Sequence, residues 1–223
     1  MSVTVRPIVR VTNRGVAANT YICRTAEPRE CILIDPGLDR EAIEAALGEA
    51  DLTPLAIFCT HGHFDHLGSA EYFRRKYSID IHLHGSDAKV ARSSNFLMMA
   101  LKLPSRIVVP EAHVAVADGS IWSRGNDRVE IVHVPGHTPG STVVLFDGRA
   151  FTGDTLYRDN IWLGSLPEAN HSQLVASVRR LWDLLPDDTM IYPGHGGAAA
   201  FGRIKQSNVP LREMLGLGDG AAL

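Results

Sequence analysis

The densest group of potentially reactive side chains consists of the imidazoles of His61, His63 and His66 and the carboxylate of Asp65, all within the run THGHFDH. The run follows an apolar stretch, LAIFC at 55–59, which is typical of a buried strand. Neutral imidazole and carboxylate oxygen are donors that divalent zinc and iron accept. The spacing therefore predicts a metal site in a loop that follows a strand.

Three later segments each place one more potential ligand directly after a glycine, at or just beyond the end of an apolar run. These ligands are His137 in PGH, Asp154 in TGD and His195 in PGH. Glycine allows the backbone to approach closely, as a ligand loop requires. We therefore expect these three side chains to join the His61 to His66 cluster.

The ordered set of these ligands resembles the metallo-β-lactamase superfamily of metal-dependent hydrolases. Asp35 in the run LIDPG matches a further motif of that family. The resemblance implies an α/β (α+β) fold, the four-layer αββα sandwich, with the ligands gathered at one edge. Strands that precede helices in each half of the chain favour the same architecture.

The resemblance also implies two divalent metal ions, with zinc expected and iron or manganese as alternatives. It assigns His61, His63 and His137 to the first ion, Asp65, His66 and His195 to the second, and Asp154 to a bridging position. Two such ions would lower the pKa of a shared water and polarise a substrate carbonyl, so that neither a serine nor a cysteine nucleophile is needed.

Three residues are candidates for supporting roles. Asp65 is a candidate catalytic residue that orients the attacking water or shuttles a proton. Asp35 is a candidate for fixing an imidazole tautomer, and an Asx-type turn is the alternative interpretation. Tyr157, which follows the predicted bridging carboxylate, is a candidate for substrate binding at the pocket mouth.

Within the family, the sequence motifs that begin at Thr60, Pro135 and Thr152 resemble those of the short glyoxalase II-like (hydroxyacylglutathione hydrolase-like) branch. The expected reaction is hydrolysis of a small ester or thioester. The short segment after His195 predicts no C-terminal glutathione-binding helical domain. The alternatives are a persulfide dioxygenase, which by resemblance would use one iron at His61, His137 and Asp154, and a lactone hydrolase.

Composition limits the other classes of function. The 223 residues are 45% hydrophobic, which favours a single domain spanning residues 1–223. Positive and negative residues are interspersed and give a net charge of −3, so we expect a small-molecule substrate and no nucleic acid. A homo-oligomer is the other association that we consider. Unpaired cysteines, no apolar signal core and no stretch long enough to span a bilayer predict a cytoplasmic protein without membrane attachment.

Short or alternating apolar runs between turn-forming residues predict the strands. These are Val3 to Val9, Thr20 to Cys23, Cys31 to Ile34, Leu55 to Cys59, Ile79 to Leu83, Val114 to Val116, Ile121 to Ser123, Val129 to Val134, Thr142 to Phe146, Arg149 to Phe151 and Met190 to Tyr192. Asp147-Gly148 predicts a hairpin turn between two of them.

Helical spacing and capping residues predict four helices. The first begins at Asp39 and stops at Gly48, and the second runs from Leu67 to Lys76. The third is a shorter helix that begins at Ser86, and the fourth begins at Asn170 and runs until Pro186. The apolar patch 96–101 fits either a core helix or the wall of a substrate cleft, and we favour the core. The remaining histidines are interpreted as structural: His82, His84, His113, His133 and His171.

Overall fold

The chain folds into two six-stranded sheets that pack face to face, with helices on both outer surfaces. The computed structural model describes residues 6–104, 106–111, 113–162 and 166–218. Part of the predicted strand Val3 to Val9 lies outside these ranges, and the observed strand begins at Ile8.

The first sheet is built by the N-terminal half of the chain, and its strands lie side by side in chain order. The strands are β1 (Ile8–Thr12), β2 (Asn19–Arg24), β3 (Glu30–Ile34), β4 (Thr53–Phe58), β5 (Asp80–His84) and β6 (Val114–Val116). Strands β1, β2 and β3 pair antiparallel, whereas β3, β4, β5 and β6 are parallel. The carboxyl ends of β3, β4 and β5 therefore meet at the same edge of the sheet.

The second sheet has the order β12-β11-β10-β9-β8-β7. Its strands are β7 (Ile121–Arg124), β8 (Asp127–His133), β9 (Thr142–Phe146), β10 (Arg149–Gly153), β11 (Met190–Pro193) and β12 (Ala199–Ala200). Strand β9 is antiparallel to both β8 and β10, and β11 is parallel to β10. Strands β8, β10 and β11 thus run in one direction and end at one edge, as the ligand positions require.

The helices lie between or after the strands. They are α1 (Arg40–Glu49), α2 (Phe64–Leu67), α3 (Ala70–Tyr77), α4 (Ala88–Ala100), α5 (His171–Leu184), α6 (Phe201–Ser207) and α7 (Val209–Leu215). Among the described residues, no helix combines the length and apolar character needed to cross a membrane.

Alternation along the strands explains the layers. Leu33 packs in a cluster with α1 and α3, whereas its neighbours Ile32 and Ile34 face Val144 and Phe146 of the other sheet. On the far side, Val143 packs with residues of α5. A side-chain period of two places successive residues on opposite faces, so each sheet buries both of its faces. The predicted αββα sandwich is confirmed.

Several local predictions are confirmed. Strands β6 and β9 have the predicted bounds. Asp147 and Gly148 both have positive φ angles, 54° and 70°, in the turn between β9 and β10, as a two-residue hairpin requires. The Asn170 side chain caps α5 by accepting a hydrogen bond from the Gln173 amide.

Three helix predictions need correction. Gly48 does not stop α1, which ends at Glu49, and the left-handed residue is Asp51 at φ 51°. The predicted helix Leu67 to Lys76 is interrupted, since the Ser69 amide donates to the Pro36 carbonyl instead of continuing a helical ladder from α2. The helix predicted at Ser86 begins after Asp87, follows a 3₁₀ turn and is longer than expected.

The preference for a core position for the patch 96–101 is wrong for most of its residues. Met98 is fully buried, whereas Phe96, Met99 and Leu101 are exposed. Because the patch forms the last turns of α4, helical periodicity turns only one stripe of it toward the core.

Candidate metal centre

Three buried imidazoles form the first half of the site. His61 and His63 lie in the loop after β4, and His137 lies in the loop after β8, which comes from the other sheet. The Nδ1 atom of His63 lies 3.0 Å from Nε2 of His61 and 3.0 Å from Nε2 of His137. Three ring nitrogens therefore point at one small volume.

The second half of the site combines two imidazoles with two carboxylates. His195 Nε2 lies 3.4 Å from Asp65 Oδ2 and 3.6 Å from Asp154 Oδ2. His66 Nε2 lies 3.4 Å from Asp154 Oδ1. Asp154 also reaches the first group, because its Oδ2 lies 3.5 Å from His137 Nε2. The Asp154 carboxylate thus lies between the two groups of imidazoles.

The structure brings together every residue that the sequence predicted as a metal ligand. Their donor atoms form three overlapping groups that could each hold an ion: His61, His63 and His137; His61, His66 and Asp154; and Asp65, His66 and His195. In the described part of the chain, none of these groups includes His82, His84, His113, His133 or His171.

Glycines permit this crowding at two of the ligand loops. A Cβ atom on Gly194 would lie 2.2 Å from Asp154 Oδ1 and 2.6 Å from His66 Cε1. Gly153 has φ +48°, and a Cβ there would lie 2.4 Å from Thr60 Oγ1. A side chain at either position would push apart the residues that form the site.

Burial keeps two imidazoles in the neutral form that can bind a metal. It lowers the pKa of His61 well below its usual range and lowers the pKa of His137 to about 4. The pKa of His66 is raised because the nearby carboxylates, Asp154 first, outweigh the effect of burial. A neutral imidazole nitrogen carries the lone pair that a cation needs.

The Asp154 carboxylate remains ionised although its side chain is only 10% exposed. Burial would raise the pKa of Asp154, but the neighbouring imidazoles, led by His66, hold it well below its usual range. The Asp154 Oδ1 and His66 Nε2 atoms are buried, and neither has a hydrogen-bond partner among the described residues. Buried polar atoms normally have hydrogen-bond partners. These two atoms, together with the ring nitrogens of His61, His63 and His137, therefore form a set of ligand atoms that fits divalent cations.

Asp35 supports two of the imidazoles. Its Oδ2 atom lies 2.9 Å from His66 Nδ1 and accepts a 2.7 Å hydrogen bond from the Thr60 hydroxyl. The Thr60 hydroxyl in turn lies 3.1 Å from His61 Nδ1. The carboxylate also accepts from the Thr60 amide, whereas the amide of Gly37 donates to Thr20, so an Asx turn does not occupy Asp35.

Sequence reasoning missed three residues that hold the ligand loops. Asp87 is buried and accepts hydrogen bonds from the Gly62 amide and the Thr138 hydroxyl. Glu168 lies 2.7 Å from His63 Nε2. Asn19 donates to the carbonyls on either side of the His195 loop. An acid shortly after a predicted strand was a usable signal for Asp87, but no sequence pattern distinguished the other two.

A cavity of about 630 Å³ opens onto the donors. Tyr157 lines it, and burial first and the Asp154 charge second raise the pKa of its phenol. Trp162 also lines the cavity, and its ring packs edge-on against His137 at 4.7 Å between centroids. The volume suits a small-molecule substrate.

Three of the five histidines interpreted as structural pack against other rings. His82 is buried and stacks on Phe58, with ring centroids 4.6 Å apart. His84 stacks on His133 at 4.0 Å across the gap between the two sheets. These rings serve packing, as the sequence interpretation expected.

Comparison with known proteins gives a consistent family match. A family model described as the Metallo-beta-lactamase superfamily matches residues 13–195. A probable metallo-hydrolase of Bacillus subtilis, YqgX, is 29% identical over 187 residues, covering 81% of this chain and 86% of that protein. The hydroxyacylglutathione hydrolase GloC of Haemophilus influenzae is 31% identical over 191 residues, covering 82% and 87%.

Solved structures show the same fold. TTHA1623 in a di-iron-bound form has a TM-score of 0.81 and 30% identity, covering 90% of this chain and 98% of that chain. ETHE1 from Myxococcus xanthus has a TM-score of 0.77 and 25% identity, covering 94% and 88%. The family match and the relatives described as hydrolases support a metal-dependent hydrolase.

Proposed function

Because this chain belongs to the Metallo-beta-lactamase superfamily, we propose that it is a dinuclear-metal hydrolase that cleaves a small ester or thioester. The observation that carries the proposal is the position of Asp154, whose oxygens lie within 3.6 Å of imidazoles from both halves of the site. One carboxylate between two sets of donors is the arrangement that a pair of cations needs.

His61, His63 and His137 would hold one ion, Asp65, His66 and His195 the other, and Asp154 would contribute to both. Such ions supply a hydroxide at neutral pH and polarise the substrate carbonyl. We favour zinc, and the di-iron form of TTHA1623 makes iron the first alternative.

The remaining chemistry belongs to the residues of the chain. Asp65 lies 3.4 Å from His195 and lines the cavity, so it is placed to orient a water or move a proton at its Oδ2 atom. Tyr157 keeps its proton because of its raised pKa, so its hydroxyl can donate to an oxygen of the substrate.

A cysteine nucleophile does not fit the structure. Cys23, Cys31 and Cys59 are buried, and burial raises the pKa of each thiol, to about 12 for Cys31. A nucleophilic cysteine needs an accessible thiolate. Hydrolysis that depends on a metal-activated water is therefore better supported than a covalent route through a cysteine.

The second candidate is a persulfide dioxygenase with one iron at His61, His137 and Asp154. The observation that favours a single ion is the uneven enclosure of the site, because the His195 side chain is 29% exposed and that of His137 is 3% exposed. Two histidines and one carboxylate form the facial triad of oxygen-activating iron sites.

Elemental analysis of the purified protein, combined with a substrate panel, separates these proposals. The panel contains an acyl-glutathione thioester, an acyl lactone and a thiol persulfide with oxygen uptake recorded. Two metal equivalents with ester or thioester cleavage support the hydrolase, and preferential lactone cleavage narrows it to a lactone hydrolase. One iron with oxygen uptake on the persulfide, and no hydrolysis, contradicts the hydrolase and supports the dioxygenase.

A further inference from the structure

Apolar side chains form a wall of the cavity that also contains metal ligands. The wall consists of Leu97 of α4, Leu101 directly after that helix, Ile161, Trp162 and Leu166. Leu101 is 57% exposed, and Leu97 and Trp162 are only partly buried. Apolar side chains left partly uncovered beside a reactive centre indicate a ligand with an apolar part.

The charges that line the cavity do not favour a polyanionic arm. Apart from the predicted metal ligands, the described lining contains the charged residues Arg158 and Asp159. Their charges are opposite and their side chains form an ion pair at 2.5 Å, so this part of the lining carries no net charge. The apolar wall is therefore the part of the lining that a substrate is most expected to cover.

We propose that the substrate carries an aliphatic acyl chain, which packs against Leu97 and Leu101 while its carbonyl lies at the metal ligands. This substrate class rests on the proposed hydrolase function. Burying each additional methylene contributes about 0.8 kcal/mol, which is about a fourfold gain in affinity. Affinity should therefore rise steeply with the length of the chain.

The test uses the carboxylates that acyl hydrolysis would release, so it needs no turnover. Calorimetric titration of the metal-loaded protein with sodium octanoate and sodium acetate should show octanoate binding at least about tenfold more tightly. The double variant Leu97→Ser with Leu101→Ser should reduce that preference to less than about threefold.

The matched control lies on the same helix. Phe96 and Met99 are exposed and do not line the cavity, so Phe96→Ser with Met99→Ser should keep the octanoate preference. Equal binding of octanoate and acetate, or equal effects of the two double variants, would overturn the acyl-chain proposal. Failure of the substrate panel would instead contradict the hydrolase function, since the titration measures binding alone.

A second inference comes from the orientation of the His63 ring. His63 presents Nδ1 to the other ring nitrogens, whereas His61 and His137 present Nε2. Its Nε2 atom consequently faces away from the site and lies 2.7 Å from Glu168 Oε1. A carboxylate that accepts a hydrogen bond from Nε2–H fixes the tautomer in which Nδ1 carries the lone pair.

The other imidazoles show why this contact is informative. His66 has Asp35 at its outward nitrogen, and His61 has the Thr60 hydroxyl. The outward Nδ1 atom of His137 is buried and has no hydrogen-bond partner within the described ranges. Within the first group of ligands, Glu168 is thus the carboxylate that contacts an imidazole directly, through His63 Nε2. Glu168 is not among the residues that line the cavity.

We infer that Glu168 is a positioning residue, which orders His63 for metal binding and does not touch the substrate. Long-range ¹H–¹⁵N spectra of the metal-free protein should show His63 in the Nε2–H tautomer. In Glu168→Ala the two tautomers should mix, and zinc affinity measured by chelator competition should fall about 10–100-fold.

Glu168→Gln serves as the conservative variant, because its amide oxygen can still accept the Nε2–H hydrogen bond and should restore most of the zinc affinity. Glu41→Ala removes an exposed acid that is neither a ligand nor part of the cavity lining, so it should change neither the His63 tautomer nor the zinc affinity. Observation of the Nδ1–H tautomer in the unmodified protein, or unchanged zinc affinity in Glu168→Ala, would overturn this role.

Discussion

Asp87 and Gly140 meet in a contact that joins the two halves of the chain. The Gly140 amide donates to Asp87 Oδ1 at 2.6 Å, and a Cβ on Gly140 would lie 2.6 Å from that same oxygen. The other oxygen of Asp87 accepts from the Gly62 amide at 2.7 Å and from the Thr138 hydroxyl at 2.7 Å. One buried carboxylate thus holds the loop of His61 and His63 against the loop of His137.

Asp87→Asn should weaken metal binding because an amide nitrogen cannot accept hydrogen bonds from the backbone. Leaving a buried amide donor unpaired costs about 1–3 kcal/mol, so the free energy of unfolding should fall by a similar amount. Zinc competition and chemical denaturation measure the two effects. Asp80→Asn, an exposed acid at the start of β5, is the control, and equal zinc affinities in the two variants would contradict the role given to Asp87.

Asp154→Ala should abolish both tightly bound metal and turnover, because it removes the donor located between the two groups of imidazoles. Elemental analysis and the substrate panel measure these losses. His82→Ala is the control, since His82 lies outside the donor groups and stacks on Phe58. It should cost about 1–2 kcal/mol of stability and leave the metal content unchanged. Full activity of metal-free Asp154→Ala protein would exclude the proposed mechanism.

Asn19→Ala should affect the half of the site that contains His195 more than the other half. The Asn19 side chain donates to the carbonyls of Pro193 and Gly196 at 3.0 and 2.9 Å, and its loss frees the loop that carries His195. We expect one metal equivalent to dissociate at a lower chelator concentration while the other is retained. Loss of both equivalents together would show that the halves are not independent, and Asn126→Ala in an exposed turn is the control.

Glu71→Gln tests the pH dependence of stability away from the site. Hydrogen bonds from Arg74 and Arg75, with Arg74 dominant, lower the pKa of the Glu71 carboxyl below its usual 4.5. A folded pKa below the unfolded value stabilises the protein above about pH 4.5, and this contribution is lost as the pH falls through the folded pKa. Denaturation at pH 7 should therefore show a loss of about 1–2 kcal/mol in the variant. Below pH 4 the difference should shrink, and a difference that is constant with pH would contradict the ion-pair explanation.

Local sequence signals predicted most of the architecture, although no helix was predicted after β11, where α6 and α7 form. Alternation of apolar residues predicted nearly all the strands to within a few residues, and the capping side chain of Asn170 predicted the start of α5. Gly48 misled the prediction of α1, since a helix can continue through glycine when the left-handed residue comes later, here at Asp51. Local patterns fix which elements form, but their ends depend on tertiary hydrogen bonds such as that from Ser69 to Pro36.

The types and order of the candidate ligands were also present in the sequence, since a cluster of imidazoles and acids after glycines is informative without coordinates. Only the tertiary structure decided which nitrogen of His63 faces the site, that Glu168 lies at its other nitrogen, and that Asp87 joins two loops that follow strands of different sheets. Such contacts link residues far apart along the chain, and a single hydrogen bond imposes no periodicity on the residues around it. Strand direction brings the loops to one edge, and packing between the two sheets then selects the partners.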